Sequence, residues 1–276
     1  MSIASAPNSP NQKTTQGEAV DKMWHKVLTG GEPMFGHTRH LFGLIPSDPR
    51  CKICNAPFRG FGAPLMHLIG KRPSRKNPRF CAACESFAKT HLGGAEIELT
   101  MLFVDVRGST SIAEKMNATE FGRLMNRFYD EAIKVLIEAD ALIDKLVGDE
   151  VTALFIPGYT GKDHAQLAVN AGQALLNAMG YGQSSEPWVP IGVGVHTGFA
   201  WVGTITGAGQ EAFDFTALGD NVNIAARLAS NAGSGEVLVS EAACAAAQID
   251  TKNLEKRKLE LKGKSELVSV NVLHAK

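Results

Sequence analysis

Two C-x-x-C pairs, Cys51–Cys54 in CKIC and Cys81–Cys84 in CAAC, frame a stretch with little other material for a core. Residues 50–92 are rich in Gly, Pro, Arg and Lys, with nine basic residues (50, 52, 59, 71, 72, 75, 76, 79 and 89) against one acid, Glu85. A segment this short and polar buries too little apolar surface to fold unaided, and a bound metal would supply the missing cross-link. Each pair offers two thiolates from one tight turn, which suits tetrahedral zinc held by Cys51, Cys54, Cys81 and Cys84. The same ligands also accept an iron–sulfur cluster, which stays open as an alternative. A buried, redox-inert quartet without metal is the blander reading, and the paired spacing argues against it. Four sulfurs complete a shell, leaving His67 and His91 structural or surface roles. Phe58, Phe61, Phe80 and Phe87 are expected to pack around the knuckles. The basic residues offer a face to an acidic partner, but few aromatics are interleaved to stack nucleic-acid bases, so a solvated positive face is the simpler expectation.

The remaining composition places this module beside a larger domain. A length of 276 residues, 44% of them apolar, supports one large domain or two small ones. The formal net charge of zero disfavours a dedicated nucleic-acid binder. C-x-x-C usage without a recognisable secretory leader points to a cytoplasmic chain rather than a disulfide scaffold. No segment approaches the run of about 18 apolar residues that would suggest a membrane span. By composition the chain divides into a disordered tail (1–18), a short helix and linker (19–49) with Trp24 and Leu28 on one side, the cysteine module (50–93), and a regular domain (94–276).

Within that domain IELTMLFVDV reads as a buried strand ending at Asp105. A helical stretch follows, with a cap expected at Thr119. ALIDKLVGDEVTALFI reads as a β-hairpin turning near Gly148 and Asp149, and DHAQLAVNAGQALLNAMG as a helix. VPIGVGVHTGFAWVGTIT and EAFDFTALG alternate as strands around a Gly207–Gly209 turn. A helix starts near Asn221, with Asp220 as its expected cap, and the chain closes with EVLVS, a short Ala-rich helix containing an inert Cys244, and edge strands at KRKLELKG and LVSVNVL. The order describes an α+β sandwich. Met116, Met125 and Met179 fit helix packing, and His196 reads as a satisfied core or interface histidine.

Six polar residues stand out: Asp105 and Asp149, each closing an apolar run, with Lys145, Thr216, Asn223 and Arg227. Two carboxylates are hard oxygen donors suited to Mg²⁺ or Mn²⁺ against a polyphosphate. Asn223 and Arg227, four apart, fall on one face of a helix, where the arginine fork can spread charge over a phosphate. Taken singly, each acid could be an ordinary turn residue, and Arg227 could pair with a local carboxylate.

Together these motifs, over residues 97–273, resemble the class III nucleotide cyclase catalytic domain. The resemblance implies a ferredoxin-like α+β fold that makes cyclic nucleotide and pyrophosphate from a nucleoside triphosphate with two divalent ions per site. It implies Asp105 and Asp149 as metal ligands, Lys145 and Thr216 as purine-reading positions, Asn223 as the ribose-orienting residue and Arg227 as the one stabilising the transition-state phosphate. Many adenylyl members carry aspartate where Thr216 stands, and one bacterial-type subgroup carries threonine. Guanylyl members usually carry Glu and Cys at the two base-reading positions, so ATP is the expected substrate and GTP the rival. Ser109 also departs from the family, where many members have an aromatic residue. Sites in the family form between two catalytic domains, which implies a homodimer, with VGTITGAGQEAFDF as a cross-subunit arm. The cysteine module is expected to be regulatory, docking on the domain or reporting zinc, redox state or a partner, and a regulatory protein or small-molecule activator is a further expected partner. A catalytically silent nucleotide-binding scaffold is the reading from another class, and the intact set of six residues argues against it.

Overall fold

The computed structural model describes residues 10–31, 33–45, 49–74, 80–183, 186–207, 212–261 and 267–276. The chain separates into two compact units. The first comprises Met1–Glu96 with Trp201–Thr216, and the second Ile97–Ala200 with Ala217–Lys276. A piece of the later chain, Trp201–Thr216, thus falls in the same unit as the four cysteines.

In the first unit, helix α1 (Pro10–Thr29) begins inside the stretch expected to be a tail and is longer than the short helix foreseen near Trp24. Proline's fixed φ is compatible with a helix's first position. Trp24, Val27 and Leu28 of α1 are buried, and Trp24 Nε1 donates to the His91 carbonyl at 2.7 Å. Helix α2 (Pro33–Gly43) occupies the expected linker. Its C-terminal carbonyls are met by Arg50, which donates through Nη1 to Phe42 O at 2.9 Å and through Nη2 to Ile45 O. Arg50 is therefore committed to a helix end, not to an open basic face. Two short helices follow, α3 (Ala63–Leu68) and α4 (Ala82–Thr90). Phe58 and Phe80 are buried as expected, whereas Phe61 is fully exposed, as are Leu65 and Leu68 in large part.

Strand β1 (Gly94–Val106) carries the chain from the first unit into the second. There it is followed by α5 (Ser109–Glu114), α6 (Ala118–Glu138), β2 (Leu142–Val147), β3 (Glu150–Phe155), α7 (Pro157–Thr160) and α8 (His164–Ala178). The rest of the chain forms β4 (Ile191–Gly207), β5 (Ala212–Leu218), α9 (Asp220–Asn231), β6 (Glu236–Ser240), α10 (Glu241–Ala246), β7 (Glu255–Leu259) and β8 (Val268–Leu273). The sheet order is β2-β3-β1-β4-β6-β8-β7, with β5 paired to β4. The β1–β3, β2–β3, β6–β8 and β7–β8 pairs are antiparallel and the β4–β6 pair is parallel, giving a mixed α/β domain. The centre of the turn expected at Gly207–Gly209 lies outside the described residues.

Helix α6 starts at Asn117, not at the expected Thr119. Asn117 Oδ1 accepts from Glu120 N at 2.9 Å, and Glu120 Oε2 accepts from Asn117 N at 3.1 Å. Only Asn117 has a glutamate three residues ahead with which to close this reciprocal box. Met125, Phe128, Ala132 and Leu136 then line the buried stripe of α6. They join a core with α8, α10 and strand residues including Val193, Val195, Val237 and Val239, while Leu238 belongs to a separate cluster with Ile224 and Leu228 of α9. Period-2 alternation of β6 thus serves two layers of helices. The glycines of I-G-V-G-V in β4 face α9, and a Cβ on Gly194 would lie 2.3 Å from Ala229 N and 2.6 Å from Ala225 O. The bare strand lets α9 sit directly on the sheet.

Candidate functional site

The antiparallel register of β1 and β3 sets Asp105 opposite Glu150. The hairpin between β2 and β3 turns through Gly148, whose φ of 62° is in the left-handed region that glycine tolerates. Val106 N donates to Asp149 O at 3.1 Å, closing the corner so that Asp105, Asp149 and Glu150 share one strand end. Tyr129 of α6 donates its hydroxyl to Gly148 O and so braces the turn.

Burial pushes the Asp105 carboxyl above its ordinary range. Arg107, ion-paired with it, pulls the other way without cancelling the rise, and the charge of Asp149 adds to it. Burial likewise raises Glu150, with the Asp105 charge adding to the effect. These are the marks of clustered acids short of positive charge, and such a donor set fits a hard divalent cation. Asp105 and Asp149, with Glu150 beside them, would hold it.

Sequence reading did not single out Arg107 or Glu150. Arg107 stands two residues beyond Asp105, just past the end of β1, where the turn brings its guanidinium to the Asp105 carboxylate. Its Nη1 donates to Ser230 O near the end of α9 at 2.8 Å, and its backbone N to Pro190 O at 2.8 Å. Its Nε is buried without a hydrogen-bond partner among the described residues. Only the strand register could have revealed Glu150, since in sequence it is simply the acid after Asp149.

The other expected site residues are dispersed. Lys145 lies half-buried on β2, paired in register with Thr152 just past an irregularity that begins at Ile143. Asn223 is exposed and Arg227 half-buried, one turn apart on α9. Among the described residues no ion pair joins Lys145 or Arg227 to Asp105 or Asp149. Thr216 lies in β5, in the first unit, and is fully buried.

Helix α9 is also fixed at its start. His196 Nε2 lies 2.9 Å from Asn221 Oδ1 and its Nδ1 2.8 Å from Ser240 Oγ, while Asn221 Nδ2 donates to Phe199 O at 2.8 Å. His196 is therefore a satisfied buried histidine that orients the helix. Asp220 is not the cap that was expected: Gly219 holds the N-cap position at φ 141°, without a side-chain bond, and Asp220 is the first helical residue. Its charge still favours the positive end of the helix.

In the first unit the four cysteine sulfurs converge. Cys51, Cys54, Cys81 and Cys84 are buried, with all four Sγ atoms within 4.8 Å of one another and Cys54 and Cys81 at 3.7 Å. A tetrahedron with metal–sulfur bonds of ~2.3 Å has edges of about 3.8 Å, so the arrangement fits a single ion. Backbone amides already address the sulfurs: Cys81 N donates to Cys51 Sγ at 3.2 Å and Cys84 N to Cys81 Sγ at 3.4 Å. Asn55, at φ 62°, lets the first knuckle turn back on itself, with Cys51 N donating to Ala56 O at 2.9 Å. Lys71 Nζ donates to Cys54 Sγ at 3.6 Å. Burial opposes the charge of Lys71, but Cys54, Cys81 and Cys84 outweigh it and hold the ammonium above its ordinary value. His67 is exposed, and His91 stacks on Phe87 with ring centroids 4.3 Å apart, so neither is a ligand here. Arg75, Lys76 and Arg79 of the expected basic face lie outside the described residues.

Comparison with known proteins covers the second unit together with Trp201–Thr216 of the first. The family model of the adenylate and guanylate cyclase catalytic domain matches residues 95–274. An adenylate cyclase of Anabaena cylindrica is 34% identical over 134 residues, covering 47% of this chain and 26% of the relative. Adenylate cyclase 1 of Rhizobium meliloti is 31% identical over 146 residues, covering 50% and 22%. The chain thus spans about a quarter of the length of the relatives it matches. Among solved structures, the guanylyl cyclase Cya2 superposes with a TM-score of 0.59 at 27% identity, covering 67% of this chain and 96% of that one. The adenylyl cyclase CyaB from P. aeruginosa gives 0.58 at 29%, covering 67% and 98%. No helix among the described residues is long and apolar enough to cross a membrane.

Proposed function

The chain belongs to the family of adenylate and guanylate cyclase catalytic domains, and from that premise we propose that it converts ATP to 3′,5′-cyclic AMP and pyrophosphate at sites completed by a second copy of itself. The observation that carries the reading is the acid corner, where Asp105 faces Glu150 across the sheet and burial holds both carboxyls above their ordinary range. Divalent ions bound there would acidify the ribose 3′-hydroxyl and hold the β- and γ-phosphates.

The chain's own side chains do the rest. Lys145 and Thr216 read the purine edge, and their departure from a Glu and Cys pair favours adenine. Asn223 orients the ribose, and Arg227, one helical turn on, places its planar fork against the charge that grows on the α-phosphate. Lys145 on β2 and Arg227 on α9 form no ion pair with Asp105 or Asp149 among the described residues, which is in keeping with a site assembled from two copies. In the first unit, Cys51, Cys54, Cys81 and Cys84 hold zinc, a reading supported by the sulfur spacing of a single ion.

The test is direct. Purified protein is incubated with ATP or GTP and Mg²⁺ or Mn²⁺ across a range of protein concentrations, and cyclic product is measured. Cyclic AMP with a specific activity that climbs with concentration is the expected result. No cyclic product from either triphosphate would overturn the proposal. GTP is the second reading to hold in view, because Cya2, a guanylyl cyclase, superposes as well as CyaB does. Zinc against iron plus sulfide in the purified chain decides the metal.

A further inference from the structure

We infer that the metal held by the four cysteines fixes the base-reading strand through Phe80 and Phe215, so that metal loading sets nucleotide selectivity. The inference rests on the reading of Thr216 as a base-contacting residue. Its structural part stands on contacts within the first unit alone.

Phe80 directly precedes the ligand Cys81 and is fully buried. Its ring meets that of Phe215 edge-on, with centroids 5.7 Å apart at 89°. Trp24 approaches the Phe215 ring at 5.6 Å and 41°. Trp24 is itself held by α4: its ring packs edge-on against Phe87 at 5.8 Å, and its Nε1 donates to His91 O at the helix end. Helix α4 begins at the metal pair, with Cys81 as its N-cap accepting from Cys84 N. Both aromatic groups that grip Phe215 are therefore positioned by Cys81 and Cys84, Phe80 through one peptide bond and Trp24 through α4.

Phe215 is the residue before Thr216. Neighbouring side chains in a strand point to opposite faces, so anchoring Phe215 against the module fixes the face that Thr216 presents. The root of the same arm is clasped as well: Thr204 N donates to Gly93 O at 2.8 Å, and Gly93 N to Thr204 Oγ1 at 2.9 Å. A Cβ on Gly203 would lie 2.4 Å from Gly94 Cα, so the two backbones meet with no room to slide. With both ends of the arm pinned, a shift of Phe80 is taken up at Phe215 and Thr216. Four buried sulfurs deprived of their ion lose the cross-link that orders the segment on which Phe80 sits. Phe80 and Phe215, both buried, are thus positioning residues for selectivity.

Hydrogen exchange of the full chain, loaded with zinc or stripped by a chelator, tests this without reference to turnover. Exchange over residues 212–218 should rise on stripping while β3 stays protected. Zinc-loaded Phe80→Leu, its metal content verified, should show the same rise in β5. The preference for ATP over GTP in kcat/KM should fall about fivefold or more in both cases, the lower end of ordinary coupling between sites. Unchanged exchange over 212–218 in the stripped chain, with residues 80–90 opened, overturns the coupling. If the stripped chain unfolds throughout, loaded Phe80→Leu decides alone, and protected β5 in that variant overturns it. Faster exchange in β5 with an unaltered ATP to GTP ratio leaves the mechanical link standing and removes the role of Thr216 in base reading.

Discussion

The Arg107 guanidinium pairs with the Asp105 carboxylate and, from its other nitrogen, donates to Ser230 O at 2.8 Å. One side chain therefore joins the acid corner to the end of α9, the helix that bears Asn223 and Arg227. A cation bound at Asp105, as proposed, would compete with this guanidinium. Arg107→Ala should tighten Mn²⁺ binding by roughly fivefold, the scale of a partly exposed ion pair, while lowering kcat because α9 loses a tether. Calorimetric titration of Mn²⁺ beside steady-state kinetics separates the two effects, and weaker Mn²⁺ binding would count against competition.

The raised carboxyls of Asp105 and Glu150 make the metal-free chain sensitive to pH. Each acid binds its proton more tightly folded than unfolded. The metal-free protein therefore loses stability as pH climbs from the unfolded carboxylate value, about 4, through the raised folded values. Mg²⁺ or Mn²⁺ bound at the proposed site would offset that loss. The rise in Tm on adding either ion should be small near about pH 4 and large near about pH 7.5. Asp105→Asn should raise the metal-free Tm at neutral pH, shrink the metal-induced rise and abolish turnover. Scanning fluorimetry across pH reads all but the last of these.

Mixing two inactive variants tests the proposed sharing of the site between two copies. Asp105→Ala and Arg227→Ala should each be silent. Combined in equal amounts, half of the dimers are mixed and each carries one intact site, so activity should recover to about a quarter of wild type. Silence with mixed dimers verified would mean that each chain carries its own complete site.

Lys145→Glu with Thr216→Cys installs the pair usual in guanylyl members. The double variant should exchange preference from ATP toward GTP by ten-fold or more, about 1.4 kcal/mol or more, with cyclic GTP as the product measured by chromatography. Loss of both activities with the fold intact would show that these positions support the site without reading the base.

Gly194→Ala tests the seating of α9. The added methyl would meet Ala229 N at 2.3 Å and Ala225 O at 2.6 Å, backbone atoms with no rotamer to yield. Overpacking of this kind costs about 1–3 kcal/mol or more, and activity should fall further than stability because Asn223 and Arg227 move with the helix. Denaturant melts and kinetics on the same preparation check this, and a tolerated alanine would mean that α9 is loosely held.

Much of this architecture was legible because its signals are local. The apolar run before Asp105, the hairpin at Gly148 and the two C-x-x-C pairs each announce themselves within a few residues. The start of α6 is legible too, since Asn117 and Glu120 form a capping box, whereas Thr119, which opens T-E-F-G, has no glutamate three residues on to close one. What local pattern could not supply was partnership across the chain. Glu150 gains meaning only from the register that sets it against Asp105, and Arg107 only from the approach of α9. Phe215 had no visible reason to be aromatic until Trp24 and Phe80 were found against it. The length of α1 escaped because its polar first half has no apolar period to follow.

The first unit includes Trp201–Thr216, which bears on how the protein is made. A nascent chain that has emerged only as far as Glu96 carries all four metal-site cysteines but not Phe215, against which Trp24 and Phe80 pack. The cysteine module acquires its ligands early and its full core late, after the whole of β4 and the first half of β5 have left the ribosome. Vectorial synthesis, which ordinarily lets an N-terminal domain finish first, here leaves the first unit waiting for its own late segment.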